Sequence, residues 1–161
     1  MKPIQILYDM MLEEHRRKYP MFTEGQRYIP KFKVSTANGL TRAVIEFLRL
    51  RGHQAERVSV EGRVIDGRRE FTDALGCRRT MGTLKRIKSS MTRGSADIRS
   101  TIAGLSVKWE VKVGKDRQSP AQKEYQAAIE RAGGVYYIVR TFDEFYEKYN
   151  ELIRTLGVVT T

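Results

Sequence analysis

The segment 94–113 constrains the fold more than any other part of the sequence. It divides into two strand-like runs on either side of Gly104, and the second run alternates apolar and charged side chains. Because successive side chains of a strand point to opposite faces, this alternation predicts an antiparallel hairpin with one apolar and one charged face. The predicted strands are 96–103 and 105–113, and the charged positions are Lys108, Glu110 and Lys112.

Helical periodicity in the rest of the chain predicts four helices with recognisable starts or ends. Gly52 is placed to end the second helix, and Gly133 is placed to end the third. Ser119 and Pro120 begin the third helix in the manner of a capped N-terminus. The predicted helices lie within 3–18, 35–53, 119–132 and 141–156.

Short apolar runs predict three further strands outside the hairpin. Residues 56–60 and 63–65 are separated by a Glu-Gly pair that suits a tight turn, and residues 135–140 form a separate run. Residues 66–93 are polar and allow no clear prediction. Taken in order, the helices and strands predict an α/β domain in which helices flank a mixed central sheet.

The composition limits the class of protein. Its one cysteine, Cys77, cannot form a disulfide within the chain or a thiolate zinc site. Charges interrupt every long apolar stretch, and the first residues lack the apolar block of a signal peptide. These features predict an intracellular, cytoplasmic protein with no membrane partner.

The net charge favours an acidic partner. The chain has 30 Lys and Arg residues against 19 Asp and Glu, which gives a formal net charge of +11. Nucleic acid is the commonest polyanion for such a surface. Two alternatives stay open on charge alone: a basic protein that binds anions loosely, and one that docks on an acidic protein.

The predicted hairpin brings an acid from each strand together beside a lysine. Asp97 begins the first strand, and the turn returns the chain so that Glu110 comes near it. Glu110 and Lys112 share a face, about 7 Å apart along the strand. Asp97 and Glu110 are the predicted ligands of Mg²⁺ or Mn²⁺, Val111 offers a backbone carbonyl as a further candidate, and Lys112 is predicted to stabilise phosphate charge. The alternative is a set of merely solvated charges.

Four short motifs follow one another around these residues. They are Gly-Ser-Ala-Asp-Ile at 94–98, Glu-Val-Lys at 110–112, Ser-Pro-Ala-Gln at 119–122 and Gly-Gly-Val at 133–135. In this order and at this spacing they resemble the VRR-NUC family (virus-type replication-repair nucleases) of the PD-(D/E)XK superfamily. The resemblance covers about 36–147 and implies a restriction-endonuclease-like nuclease domain at 36–161, preceded by a helix and an irregular extension at 1–35.

The resemblance also implies residue roles. It assigns metal ligation to Asp97 and Glu110, catalytic support to Lys112, and a supporting role in the site to Gln122. For Gln122 the sequence equally supports a capping box at the start of the third helix, without catalysis. The superfamily's proline before the aspartate is Ala96 here, a change that affects backbone shape alone.

Many members of the superfamily carry a glutamate on the first helix of the nuclease domain as an extra metal ligand. Glu46 and Asn38 are both candidates for the equivalent position. If Asn38 occupies it, this metal ligand is weakened or lost. An ion pair at the edge of the core is the simpler interpretation of Glu46.

A basic segment leads into the first strand of the hairpin. From Cys77 to Ala96 the chain contains six Lys and Arg residues and no acid. This composition predicts a loop that contacts phosphates, which dominate nucleic-acid affinity and make it salt-dependent. A solvated loop without a ligand is the alternative. The predicted contacts are Arg78, Arg79, Lys85, Arg86, Lys88 and Arg93, together with Lys115 and Arg117 before the third helix.

Together these features predict a Mg²⁺- or Mn²⁺-dependent DNA endonuclease. The resemblance implies branched or flapped DNA, four-way junctions included, cut by a homodimer in phage or bacterial recombination, repair or genome processing. One alternative is a non-catalytic nucleic-acid-binding module with a nuclease fold, and another is a basic interaction protein. The remaining aromatic residues of the predicted strands, Trp109, Tyr136 and Tyr137, are assigned to packing.

Overall fold

The computed structural model describes residues 1–58, 63–87 and 92–158. The chain divides into a main unit, Met1–Val58 with Gly94–Thr161, and a second unit, Ser59–Arg93. Within the described residues the helices are α1 Pro3–Lys18, α2 Ala37–Leu50, α3 Pro120–Arg131 and α4 Phe142–Thr155. The strands are β1 Gln54–Arg57, β2 Arg63–Asp66, β3 Arg69–Thr72, β4 Arg78–Met81, β5 Leu84–Ile87, β6 Ile98–Ile102, β7 Leu105–Val111 and β8 Val135–Val139.

A four-stranded sheet in the order β1-β6-β7-β8 organises the main unit. β1, β6 and β7 pair antiparallel, whereas β7 and β8 pair parallel. The parallel pair follows from the path of the chain, since α3 connects the end of β7 to the start of β8. The predicted α/β architecture with a mixed sheet flanked by helices is confirmed, and it is consistent with a restriction-endonuclease-like core.

The β6–β7 hairpin forms as its alternating sequence predicts. Ile98 pairs with Trp109, and Ile102 pairs with Leu105. The connecting residues 103 and 104 have φ values of +47° and +82°. Positive φ at both positions matches a type I′ turn, whose twist suits antiparallel strands. Compared with the prediction, each strand is two residues shorter at its outer end.

The apolar face of the sheet packs against α2 and α4, and α1 packs against these two helices. In this layer the ring of Phe47 lies 5.5 Å from that of Phe145 and 5.1 Å from that of Tyr149, measured between centroids. Trp109 is fully buried, and its Nε1 donates a hydrogen bond to Ser100 Oγ at 3.0 Å. Each fully buried side chain of this size stabilises the fold by roughly 1.5–3 kcal/mol. Trp109 therefore lies in the core, as predicted.

The first helix is part of the same core. Leu7 is fully buried, Met11 is nearly so, and α1 contacts both α2 and α4. The sequence leaves the role of residues 1–35 open. In the structure, α1 of this segment covers core residues. None of the helices in the described ranges is long and apolar enough to cross a membrane.

The opposite face of the sheet is covered along one edge by α3. Tyr125 of α3 contacts Tyr136 of β8, with 6.3 Å between ring centroids. Just before β6, Gly94 approaches α3 so closely that a Cβ atom would lie 2.3 Å from the carbonyl oxygen of Ala121. Its φ of +82° also favours glycine. This contact holds the segment before β6 against the start of α3.

The second unit contains a long β-hairpin. β2 pairs with β5 and β3 pairs with β4 in one continuous antiparallel register. Asp73 closes the turn, because its Oδ1 accepts hydrogen bonds from the backbone N atoms of Leu75 and Cys77 at 3.0 and 2.9 Å. The predicted basic loop is therefore wrong over Arg78–Met81 and Leu84–Ile87, which are strands. Both faces of these strands are exposed, so their sequence lacks the alternation that usually reveals a strand.

The two strands predicted at 56–60 and 63–65 pair with different partners. β1 ends at Arg57 and pairs with β6, whereas β2 pairs with β5. They therefore belong to different sheets. The tight turn predicted at Glu61 and Gly62 lies outside the described residues.

Candidate active centre

Asp97 and Glu110 lie opposite each other at one end of the main sheet. The register that pairs Ile98 with Trp109 places Asp97 across from Glu110 when it is continued by one residue. Residues opposite each other on antiparallel strands share a face, with Cα atoms about 4.5–5.5 Å apart. Asp97 Oδ2 also accepts a hydrogen bond from the Val111 backbone N at 2.9 Å. The structure thus brings the two acids together.

Glu110 is enclosed by three hydrogen-bond donors. Its side chain is only 2% exposed. Oε1 accepts from Lys112 Nζ at 3.0 Å and from Gln122 Nε2 at 2.5 Å, and Oε2 accepts from the Tyr136 hydroxyl at 3.2 Å. Burial and the charge of Asp97 raise the pKa of Glu110 above its ordinary value, and the interactions with Lys112 and Tyr136 oppose this only in part. An additional positive charge at this position is therefore electrostatically favourable.

Lys112 links Glu110 to another carboxylate. Its Nζ lies 3.0 Å from Glu110 Oε1 and 3.2 Å from Asp116 Oδ2, and its side chain is 8% exposed. Burial by itself lowers the pKa of Lys112, but the two carboxylates outweigh burial, so this pKa is raised. Lys112 is consequently held as an ammonium ion, which suits it to stabilise negative charge rather than to accept a proton.

Gln122 joins the centre to the N-terminus of α3. Its Oε1 accepts from the Ser119 backbone N at 2.8 Å, while Ser119 Oγ accepts from the Gln122 backbone N at 3.3 Å. The Nε2 atom of the same amide donates to Glu110. The capping and active-site interpretations of Gln122 therefore hold together, because an amide offers an acceptor and a donor to different partners.

Two residues around the centre escape the sequence analysis. Tyr136 is a packing residue of a strand, as predicted, and it contacts Tyr125 of α3, but its hydroxyl also donates to Glu110. This contact depends on the parallel pairing of β7 with β8, which no local pattern reveals. The second residue is Asp116, which follows Lys112 by four residues. It contacts Lys112 only because the loop after β7 folds back onto the lysine, and the spacing alone does not predict this contact.

The donor set suits a hard divalent cation with few protein ligands. Asp97 and Glu110 supply neighbouring carboxylates, the ligand type that Mg²⁺ prefers, and Mg²⁺ usually keeps several waters and takes one or two carboxylates plus phosphate oxygens. Across residues 1–58, 63–87 and 92–158, no group of three or more His, Cys, Asp or Glu side chains is arranged to hold a metal. The two carboxylates of the centre are the ligand type and number that Mg²⁺ takes from a protein.

Of the two candidates on α2, Asn38 lies at the same end of the sheet as the centre. Its Oδ1 accepts a hydrogen bond from Arg57 Nη1 at 2.6 Å, and Arg57 pairs with Ile98, next to Asp97. Glu46 is half-buried further along α2. The predicted ion pair of Glu46 is not found among the residues that the structure describes.

The predicted nucleic-acid contacts fall into two groups. Lys115 and Arg117 are exposed in the loop between β7 and α3, close in sequence to Lys112. The second group belongs to the second unit, where Arg79 Nε is bound to Asp73 Oδ2 at 2.7 Å. Lys88 lies outside the described residues. The exposed members of the second group are Arg78, Arg79, Lys85, Arg86 and Arg93.

A cavity of about 650 Å³ lies away from the centre. It is bounded by α1 and by the C-terminal end of α2, and Arg51 and His53 are among its lining residues. Burial lowers the pKa of His53, whose Nε2 lies 2.9 Å from the Tyr149 hydroxyl. None of the acids or the lysine of the centre lines this cavity, so the cavity is separate from the centre.

A scan of the chain against models of known protein families finds no match, and a search of curated proteins finds no relative. The functional assignment therefore depends on the geometry and electrostatics of the centre together with the sequence motifs.

Proposed function

We propose that the protein is a Mg²⁺- or Mn²⁺-dependent DNA endonuclease. The observation that carries this proposal is the placement of Asp97, directly before β6, opposite Glu110 of β7, with Lys112 bound to Glu110. Burying charged groups costs free energy that apolar residues in the same places would avoid. Clusters of this kind, with perturbed pKa values, are typical of catalytic sites. The same three residues carry the resemblance to the VRR-NUC family.

Asp97 and Glu110 would hold the metal, and the Val111 carbonyl is the candidate for a further ligand. When bound, the metal supplies Lewis-acid polarisation of a phosphate oxygen and a water molecule of lowered pKa. The hydrogen bond from the Val111 backbone N keeps the Asp97 carboxylate beside β7. This backbone contact positions one ligand before any substrate arrives.

The other residues of the centre orient and neutralise charge. Lys112, held as an ammonium ion, is placed to donate to a phosphate oxygen and to stabilise the charge of the transition state. Gln122 and Tyr136 fix the two oxygens of Glu110. Partners that hold a ligand in this way typically change metal affinity or activity by about 10–100-fold when they are removed.

The nature of the substrate is the less direct part of the proposal. The net charge of +11 supports a polyanion, and exposed Lys115 and Arg117 follow the centre along the chain. Branched, flapped or four-way-junction DNA, a homodimer, and a role in phage or bacterial recombination, repair or genome processing come from the resemblance alone. A mass measurement in solution tests the homodimer separately from cleavage.

The test is cleavage of labelled linear, flapped and four-way-junction DNA in Mg²⁺, Mn²⁺ or EDTA. The wild type is compared with Glu110→Ala, Asp97→Asn and Lys112→Ala. We expect cleavage by the wild type only when a metal is present, and none by the three variants. Glu124→Gln, a change at an exposed acid of α3 outside the centre, is the matched control and should cleave normally.

Metal binding and DNA binding separate the alternatives. A nuclease binds Mn²⁺ with an affinity that Asp97→Ala removes, and Lys112→Ala binds DNA but does not cut it. Tight DNA binding without cleavage in any metal would instead indicate a non-catalytic binding module. Absence of both activities would leave the basic interaction protein.

A further inference from the structure

The β2–β5 hairpin, residues 63–87, presents apolar side chains to solvent on a basic element. Every residue of β3, β4 and β5 is exposed. Phe71 is 43% exposed, Met81 is 65% exposed, and Leu75 in the turn is 84% exposed. Charged side chains would keep a hairpin soluble without a partner. Exposed apolar side chains of this size indicate a partner surface.

The strand register sorts these side chains by face. Phe71 lies opposite Arg79, and Met81 lies opposite Arg69, so all four share one face of the β3–β4 ladder. That face combines apolar and cationic side chains, and of its two cations Arg79 is bound to Asp73 of the turn whereas Arg69 has no ion pair with a described residue. The opposite face of the same ladder is polar, with Glu70, Thr72, Arg78 and Thr80.

Two of the acids in the hairpin are neutralised within it. Asp66 is bound by Arg68 at 2.8 Å, and Asp73 is bound by Arg79 at 2.7 Å. Four basic side chains make no hydrogen bond or ion pair with any described residue and are available to an anion. These are Arg69, Arg78, Lys85 and Arg86.

Both points where the second unit joins the main unit lie next to Asp97. The backbone N of Val58, the last residue before the second unit, donates to the Asp97 carbonyl oxygen at 2.8 Å. Gly94, the first residue after it, precedes Asp97 by three positions. Along the chain, the second unit is thus inserted between two main-unit residues, Val58 and Gly94, of which Val58 is hydrogen-bonded to the residue that we propose as a metal ligand.

We propose that this hairpin binds branched DNA by placing Phe71, Leu75 and Met81 on bases that are unpaired at the branch point, while its free cations hold the adjoining phosphates. The inference rests on the proposed function. It identifies the hairpin as the element that makes the enzyme prefer branched DNA. Apolar wedges that contact unstacked bases are a known means of binding distorted DNA. Stacking on an aromatic ring needs an exposed base face, which a continuous duplex does not offer.

The experiment compares two sets of variants by DNA binding without cleavage. One set removes the apolar groups, with Phe71→Ala combined with Leu75→Ser, and the other removes cations, with Arg78→Ala combined with Lys85→Ala. Both are made in a Glu110→Ala background, so that affinities for flapped and linear DNA can be measured over a range of salt. Phe22→Ala, at a phenylalanine of the main unit that is 46% exposed, is the matched control.

We expect the apolar variant to lose about tenfold in affinity for flapped DNA and little for linear duplex, with an unchanged salt slope. The cation variant should lose affinity for both substrates and lower the salt slope by up to about two. A 2-aminopurine base at the branch point should lose its protein-dependent fluorescence change only in the apolar variant. The Phe22→Ala control should match its parent throughout.

Three results would overturn the inference. The first is an equal loss of flapped and linear binding in the apolar variant, and the second is no loss at all. The third is a change of oligomeric state in the apolar variant, which would show that the apolar face binds a second copy of the chain. Binding is measured in Glu110→Ala proteins, which do not cleave. If the wild type cleaves DNA with metal but the apolar variant keeps its affinity for flapped DNA, only the inference about the hairpin fails. If the apolar variant loses affinity for flapped DNA but the wild type does not cleave, only the proposed cleavage fails.

Discussion

Gln122 Nε2 lies 2.5 Å from Glu110 Oε1, and Oε1 of the same Gln122 amide accepts a hydrogen bond from the Ser119 backbone N at the start of α3. The position of the Glu110 carboxylate is thereby coupled to the start of α3. Folding of that helix therefore helps to assemble the centre.

Gln122→Ala and Ser119→Ala separate capping from catalysis. Each removes a part of the capping box, and we expect each to lower the free energy of unfolding by about 1 kcal/mol in urea titrations. Only Gln122→Ala also removes a donor from Glu110, so only this variant should reduce the rate of metal-dependent cleavage, by about 10–100-fold. Equal rates in the two variants would show that Gln122 serves the helix alone.

Lys112 and Glu110 should be energetically coupled. Lys112→Ala leaves the buried Glu110 carboxylate beside Asp97 without its closest cation, and we expect it to destabilise the protein by roughly 3 kcal/mol in EDTA. In a Glu110→Gln background the same substitution should cost less, because no buried charge is left unpaired. Urea unfolding of the four proteins gives the coupling free energy. Additive effects would contradict the pairing.

Tyr136→Phe tests a hydroxyl without changing the ring. The substitution keeps the contact with Tyr125 and removes the donor that lies 3.2 Å from Glu110 Oε2. We expect a loss of unfolding free energy of about 1 kcal/mol and a reduced cleavage rate, measured at saturating metal. Tyr137→Phe on the opposite face, where the ring packs against Trp109, should retain the wild-type rate.

Gly94→Ala should disturb the centre through the backbone. A Cβ at this position would lie 2.3 Å from the Ala121 carbonyl oxygen, and the φ of +82° is unfavourable for alanine. Gly52→Ala has a similar φ of +78° with open space around the Cβ, so it carries the conformational cost alone, about 1–2 kcal/mol. We expect a lower melting temperature for Gly94→Ala than for Gly52→Ala, and impaired cleavage only in Gly94→Ala.

Glu144 should contribute pH-dependent stability. Burial by itself raises its pKa, but Lys148 Nζ at 2.6 Å and the Arg140 backbone N at 2.8 Å outweigh burial, so the pKa of Glu144 is lowered. A carboxyl with a lowered folded-state pKa stabilises the fold above its unfolded-state pKa, and this contribution is lost as the pH falls through the folded-state value.

Glu144→Gln should therefore destabilise the protein at neutral pH, by less than about 1 kcal/mol because the pair with Lys148 is only partly buried. The difference from the wild type should shrink in acid. Thermal melts between neutral and acidic pH check this, with Glu147→Gln, an exposed acid of the same helix, as the control. A difference that stays constant with pH would rule out the linkage.

Much of the fold and of the centre could be predicted from local sequence because the signals are local. The alternation in 105–113 and a positive-φ glycine at position 104 are enough to specify the β6–β7 hairpin, and a hairpin brings Asp97 to Glu110. The capping box at Ser119 likewise depends on residues three apart. In the second unit only β2 was predicted, and β3, β4 and β5 escaped prediction because strands exposed on both faces carry no burial pattern.

By itself, then, the sequence determined the helices, the strands of the main sheet, the charged face of the central hairpin and the motif that contains Asp97, Glu110 and Lys112. Only the tertiary structure decided how Glu110 is buried and what holds it. Tyr136 reaches it through the parallel β7–β8 pair, and Gln122 reaches it because α3 packs against the segment at Gly94. Such contacts join residues far apart in the chain, so they depend on packing between elements rather than on any local periodicity.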